Sequence, residues 1–386
     1  MAEIHGTSNP QFARVGEVLA GQLESGADLG ASVAVAIDGE LVVDQWGGWS
    51  DPEKTTPWGK DTITNVWSST KTMTNLSALV LVDRGELDVY RPVADYWPEF
   101  AANGKADIEV RHLLSHTSGV SAWAQPVTVE DLYDWDKSTS MLAAQAPWWE
   151  PGSMSGYHAL NQGHLVGEVV RRVSGRSLGT FFAEEIAGPL GADFHIGLDP
   201  SEFHRVSNVV APPEMDLGLD LTDPAVLESV AFKTFTGPAP APEESWTDAW
   251  RQAEIGAANG HGNARSVAKI QSVVTNGGEV DGVRLLSPKT IDLIFDVQSD
   301  GLDLVLGLPL KFGVGYGLPT PDLAPMLGGT NLGRVCFWGG WGGSLVVNDV
   351  DRGVTIAYMM NKMAATMIGN PTGGALCAAV YDALDS

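Results

Sequence analysis

Strand-forming segments crowd the two ends of this 386-residue chain and thin out in its middle. Near the N-terminus, Ala31–Ile37 and Glu40–Trp46 are apolar runs joined at Asp38-Gly39, residue types that accept the positive φ of a tight hairpin. Near the C-terminus, Val335–Trp338, Ser344–Asn348 and Gly353–Met360 have the same character. Helical spacing of Phe12, Val15, Val18, Leu19 and Leu23 predicts a helix over Gln11–Ser25. Further helices are expected over Ser68–Val82, stopping at Gly85, after Ser266 up to a Gly277-Gly278 turn, and over Gly374–Leu384. From Asp88 to Pro240 helical pieces such as Asn161–Val173 and Leu178–Ile186 dominate, and Val230–Trp250 reads as Pro-rich and irregular. This order suits one α/β domain built from residues 1–85 and 260–386 and interrupted by a mostly helical domain over 86–259. An active site is expected in the cleft between them.

Composition narrows the function classes. With 44% hydrophobic residues the chain has material for a large core, which excludes a disordered tail protein. The balance of 23 Lys+Arg against 48 Asp+Glu leaves a formal charge of −25 and no basic patch. Such a surface repels nucleic-acid phosphates and anionic lipid, so neither is expected as a partner. Cys336 and Cys377 form no disulfide framework and lack metal-ligand spacing. No basic segment followed by an apolar one opens the chain, and stretches such as Gly30–Ile37 fall far short of the ~20 apolar residues of a membrane span. The expectation is a cytoplasmic protein with no metal or cofactor. Low Lys with abundant Ala, Gly and Trp fits a GC-rich bacterial source.

The sharpest chemical pattern is Ser68-x-x-Lys71 within Val66-Trp-Ser-Ser-Thr-Lys-Thr-Met-Thr. If Ser68 opens a helix, Lys71 lies one turn on along the same face. A lysine in a low-dielectric pocket loses basicity and can take a serine proton, and the helix N-terminus offers a free N–H to an oxyanion. Taken alone, Ser68 reads first as a helix N-cap rather than a nucleophile, and Ser266-Val-Ala-Lys269 is a second match. Gly175-Arg-Ser177-Leu-Gly179 matches a nucleophile elbow, but the segment before it has helical spacing. Gly175 is therefore read as a C-cap and Ser177 as an N-cap. His112 and His116 stand four apart without a third ligand, which favours hydrogen-bonded structural histidines over a metal site.

Further motifs give Ser68 its company. They are Arg111-His-Leu-Leu-Ser-His-Thr-Ser-Gly-Val120, Glu150-Pro-Gly-Ser-Met-Ser-Gly-Tyr157, Ile186-Ala-Gly-Pro-Leu-Gly191, Gly277-Gly278 to Arg284-Leu-Leu-Ser-Pro288, and Phe337-Trp-Gly-Gly-Trp-Gly-Gly-Ser344. In this order, over residues 11 to 384, the chain resembles the class C branch of the serine β-lactamase and penicillin-recognising superfamily, and specifically its esterase relatives, the family VIII carboxylesterases. The resemblance implies a class C β-lactamase-like α/β fold, a mainly antiparallel sheet flanked by helices with an inserted mostly helical domain. It implies Ser68 as nucleophile, Lys71 as its proton acceptor, and Tyr157 as a base in acylation that hands the proton to the leaving group. It places the oxyanion hole at the N–H groups of Ser68 and Trp341. Gly339 and Gly340 would let a substrate carbonyl approach the strand, with Trp338, Trp67 and Asn161 as further substrate-binding candidates.

Departures from the pattern bear on substrate. No Lys-Ser/Thr-Gly occurs, and Trp338 takes the place of the cation that holds a β-lactam carboxylate in the resembled enzymes. Tyr157-His158-Ala159 lacks the Asn two residues after the Tyr; Asn161 is four residues on. Both losses point to a small, uncharged, short-acyl ester as substrate. A β-lactamase, a D-amino-acid peptidase or amidase, and a catalytically silent sensor or scaffold remain the alternatives. Of 13 tryptophans, Trp46, Trp97 and Trp250 read as core, whereas Trp67, Trp338 and Trp341 fall inside the site motifs.

Overall fold

A computed structural model describes residues 2–213, 222–329 and 332–386. Its largest unit is a nine-stranded sheet made of β1 (Ile4–Ser8), β2 (Gly30–Ile37), β3 (Glu40–Gly48), β4 (Ser299–Leu302), β5 (Pro309–Phe312), β6 (Gly317–Leu318), β7 (Val335–Gly339), β8 (Leu345–Asp349) and β9 (Val354–Met360). The spatial order is β1-β3-β2-β9-β8-β7-β6-β5-β4, and every neighbouring pair is antiparallel. The two chain ends meet at β2 and β9, where Val33 lies opposite Tyr358. The fold is thus the expected β-lactamase-like one, a large antiparallel sheet with helices packed on it.

The predicted hairpin forms at Asp38 and Gly39, whose φ values of 50° and 83° match the twist of the flanking strands. β2 and β9 are buried along nearly their whole length, so they carry continuous apolar runs with no polar alternation. Helix α1 (Ala13–Ser25) packs with the closing helix α5 (Pro371–Leu384), while α4 (Ala264–Thr275) lies on β2, β8 and β9. Ser32 on β2 accepts the Ala264 N–H at the start of α4. Between these elements run α2 (Thr70–Asp83) and α3 (Gln162–Ser174), packed on each other. α2 is buried on all sides from Thr70 to Leu81, although Thr70, Lys71, Thr72, Thr74, Asn75 and Ser77 are polar. Its hydroxyls are satisfied locally or across the core, Thr74 donating to the Gly256 carbonyl at 2.6 Å.

Several elements depart from expectation. The helix after residue 66 starts at Thr70, and Ser68 belongs to a single 3-10 turn, Trp67–Ser69. Leu178–Ile186 breaks into an α-turn over Leu178–Phe182 and a π-turn over Ala183–Ala187. The irregular stretch holds two short helices, Val230–Thr236 and Asp248–Gln252. β1 and β4 carry no apolar alternation, because at the edges of the sheet neither buries a face. A small sheet sets Ile63–Asn65 between His261–Gly262 and Val206–Ser207, with Phe194–His195 beyond. Its hydrogen bonds join residues on both sides of the predicted boundaries, and its central strand leads directly into the Ser68 turn.

Candidate active site

Trp67, the residue before Ser68, has φ of +48°, a left-handed conformation that costs a bulky residue about 1–3 kcal/mol. The surroundings hold it there. Its carbonyl accepts the Thr70 hydroxyl at 2.6 Å, and Thr70 Oγ1 in turn accepts the Gly260 N–H at 2.8 Å. Val66 N–H donates to the Gly260 carbonyl. The Trp67 ring packs against Trp250 and Trp341, with centroids 5.6 and 5.1 Å away. At 3% exposure this side chain is buried and braces the turn against those two rings.

Lys71, 1% exposed, reaches back to Ser68. Its Nζ lies 3.1 Å from Ser68 Oγ, 2.7 Å from the Ala159 carbonyl and 2.9 Å from the Ala257 carbonyl. Burial drives its pKa well below the usual lysine value, toward the neutral amine. A neutral amine has two protons and one lone pair. Both carbonyls can only accept, so in the neutral form the two protons would go to them and the lone pair would face the Ser68 hydroxyl. Tyr157 is also buried, with Lys71 Nζ 4.8 Å from its ring centroid. Desolvation raises the Tyr157 pKa, opposed by hydrogen bonds from Ser68 and Trp338. Burial thus favours the neutral forms of both groups, an amine beside a phenol rather than an ammonium beside a phenolate.

The β7–β8 turn completes the constellation. Among the described residues, neither the Ser68 N–H nor the Trp341 N–H has a hydrogen-bond acceptor within the protein. A Cβ on Gly340 would come 2.3 Å from both the Val66 carbonyl oxygen and Ser344 Oγ, so only glycine lets this turn lie against the backbone ahead of Ser68. Ser344 donates to the Val66 carbonyl at 2.8 Å, which leaves Ser69 as the donor in the 2.9 Å Ser69–Ser344 contact. Two hydroxyls thereby clamp the turn carrying Trp341 to the turn carrying Ser68. The sequence reading missed both; the serine closing the Trp-Gly-Gly-Trp-Gly-Gly-Ser motif was the available signal.

Two turns and a buried lysine, converging on one serine, can be set beside known proteins. The β-lactamase family model matches residues 16–374. The chain belongs to the β-lactamase family. The esterase/β-lactamase LipL of Mycobacterium tuberculosis is 34% identical over 373 residues, 95% of this chain and 84% of LipL. Among solved structures, a family VIII carboxylesterase superposes with a TM-score of 0.91 at 39% identity, covering 99% of this chain and all of that one. A penicillin-binding protein homologue from Caulobacter crescentus gives 0.90 at 38% identity, with the same coverage. The resemblance to the family VIII carboxylesterases drawn from the motifs therefore stands, and the chain is an enzyme, a hydrolase of this family.

Other residues singled out in this β-lactamase-family chain fall into place around that centre. Trp338 is 4% exposed and packs on Tyr157, His116, Phe312 and Phe337. Its indole N–H donates to Tyr157 Oη at 3.2 Å. Asn161 is fully buried; its Nδ2 donates to the Val120 carbonyl at 2.7 Å, and its Oδ1 has no hydrogen-bond partner among the described residues. Ser177 caps Leu178–Phe182 and donates to Glu254, and Gly175 ends α3 in the left-handed region, as their spacing predicts. Ser266 bonds Asn263 within its own helix, and Lys269 pairs with Asp281 on the surface. His112 accepts the Glu109 N–H to cap Val110–Leu114, while His116 lies past that helix at φ of +63° and accepts the His158 N–H. Among the described residues no group of three His, Cys, Asp or Glu is placed to hold a metal ion, and no helix is long and apolar enough to cross a membrane.

Proposed function

We propose that this protein is a carboxylesterase that cleaves small, uncharged, short-acyl esters through an acyl-enzyme on Ser68. Ser68 Oγ attacks the ester carbonyl carbon as its proton passes to the lone pair of Lys71 Nζ. The carbonyl oxygen takes up the electron pair and is received by the Ser68 and Trp341 N–H groups. On collapse the C–O bond to the alcohol breaks, and Tyr157 Oη relays the proton to the departing oxygen. Water then attacks the Ser68 ester with the Lys71–Tyr157 pair as base, releasing the acid and restoring the serine. Water is the one co-reactant, and the cycle balances without a cofactor. Ser68 and Lys71 come from the α/β unit and Tyr157 from the inserted helical one, so the two would meet at the reacting bond.

Trp338 is the observation that carries the substrate class. It sits on β7, where the resembled β-lactamases keep a cation, and its N–H is committed to Tyr157 Oη. A substrate carboxylate there would meet an indole and lose its hydration without gaining a counter-charge. An uncharged ester has no such loss. The test compares wild type and Ser68→Ala on 4-nitrophenyl butyrate and on a chromogenic cephalosporin. Fast ester cleavage that disappears in the variant, with little cephalosporin turnover, is expected. Cephalosporin turnover matching that of the ester would refute the Trp338 argument and favour a β-lactamase.

A further inference from the structure

The segment Ser155–Ala159 lies outside any helix or strand, and its polar groups are held from two sides. Gly156 N–H donates to the His116 carbonyl at 2.9 Å and His158 N–H to His116 Nδ1 at 3.0 Å. From the other side comes the loop between β4 and β5. Leu304 N–H donates to the Ser155 carbonyl at 2.9 Å, and Tyr157 N–H donates to Asp303 Oδ1 at 3.1 Å. At the far end the Ala159 carbonyl accepts from Lys71.

Asp303 is fully buried. The same Oδ1 also accepts the Val305 and Leu306 N–H groups, each at 2.9 Å, and its own N–H donates to the Leu308 carbonyl. Oδ2 has no hydrogen-bond partner among the described residues. A buried carboxylate with a bare oxygen is costly to keep. What it gains is three N–H bonds converging on one atom, two that shape its own loop and one that reaches Tyr157. The phenol oxygen stands far out along the side chain from that N–H, so a small tilt of the backbone is enlarged at Oη.

We propose that Asp303 is a positioning residue for the reaction, fixing the Tyr157 backbone so that Oη stays within reach of Ser68 and of the Trp338 indole. The inference rests on the role assigned to Tyr157 above. It acts on the chemical step and leaves ester binding alone, because Asp303 is buried behind the tyrosine.

The experiment is steady-state kinetics on 4-nitrophenyl butyrate for Asp303→Ala, Asp303→Asn and Tyr157→Phe, with thermal melts of each. Alanine removes the acceptor; kcat is expected to fall about 10- to 100-fold with KM within about twofold, as a misplacement near 1 Å does. Asparagine keeps an acceptor oxygen and is expected to hold kcat within about threefold of wild type. A folded alanine variant with kcat within threefold of wild type overturns the proposal. So does one in which KM rises while kcat holds. Should the alanine variant not fold, the asparagine variant decides: a tenfold or larger loss of kcat in a folded protein overturns the proposal, and retained kcat upholds it. Wild-type kcat in Tyr157→Phe would sink the role of Tyr157 itself and this inference with it. Loss in Tyr157→Phe beside an unaffected Asp303→Ala sinks only the inference.

Discussion

Adding one methyl group at Gly340 tests whether the β7–β8 turn builds the oxyanion hole. The Cβ of Gly340→Ala would stand 2.3 Å from the Val66 carbonyl oxygen and 2.3 Å from Ser344 Oγ, where ordinary contact begins at 3.4 Å. Relief therefore needs about 1 Å of movement. Ser344 could rotate, but only by giving up its bond to the Val66 carbonyl. The carbonyl itself is backbone, one peptide ahead of the left-handed Trp67. The turn must move away, and the Trp341 N–H moves with it. Overpacking of this kind costs about 1–3 kcal/mol of stability, while loss of one oxyanion donor lowers kcat by about 10²–10³. The assay is kcat on 4-nitrophenyl butyrate beside a thermal melt. A folded Gly340→Ala enzyme with kcat within twofold of wild type would refute the reasoning, because the hole would then not depend on this close approach.

Three more expectations follow from the same geometry. Lys71 has a folded pKa well below its usual 10.5, so between the two values the unfolded chain binds more protons and stability rises with pH. A melting temperature that climbs from pH 7 toward 10 in wild type but not in Lys71→Met would bear this out; parallel curves would count against a neutral buried lysine. Trp338→Phe keeps the packing but removes the N–H on Tyr157 Oη, a bond worth about 0.5–1.5 kcal/mol, so kcat should fall roughly two- to tenfold. An unchanged kcat would mean the indole only fills space. Ser177→Ala should leave kcat within about twofold while losing about 1 kcal/mol of stability with its cap, read by urea titration. A folded but inactive Ser177→Ala would move the nucleophile elsewhere.

Much of the architecture was legible because it follows local rules. Asp38-Gly39 is a hairpin in any context that supplies two strands, since its residues tolerate positive φ. The Phe12–Leu23 spacing makes a helix with one apolar face, and Gly175 and Ser177 punctuate two helices by chemistry that needs no tertiary partner. The Ser68–Lys71 spacing keeps the two side chains one turn apart, and the 3-10 turn braced by Gly260 sets Nζ 3.1 Å from Oγ. What stayed hidden depends on groups distant in sequence. β4 has no apolar pattern to read, because its pairing is made by backbone amides. Trp67 and Asn161 sit beside the motifs and so read as pocket lining; the packing that buries both side chains comes from groups distant in sequence. The downward shift of the Lys71 pKa comes from burial, and the two carbonyls that orient its Nζ lie 88 and 186 residues away along the chain. Sequence alone thus marked the candidates for chemistry, Ser68, Lys71 and Tyr157, since residue type and short spacing are local. Only the tertiary structure decided their protonation, and that Asp303 and Ser344 stand behind them, because desolvation and long-range hydrogen bonds exist only once the chain has closed on itself.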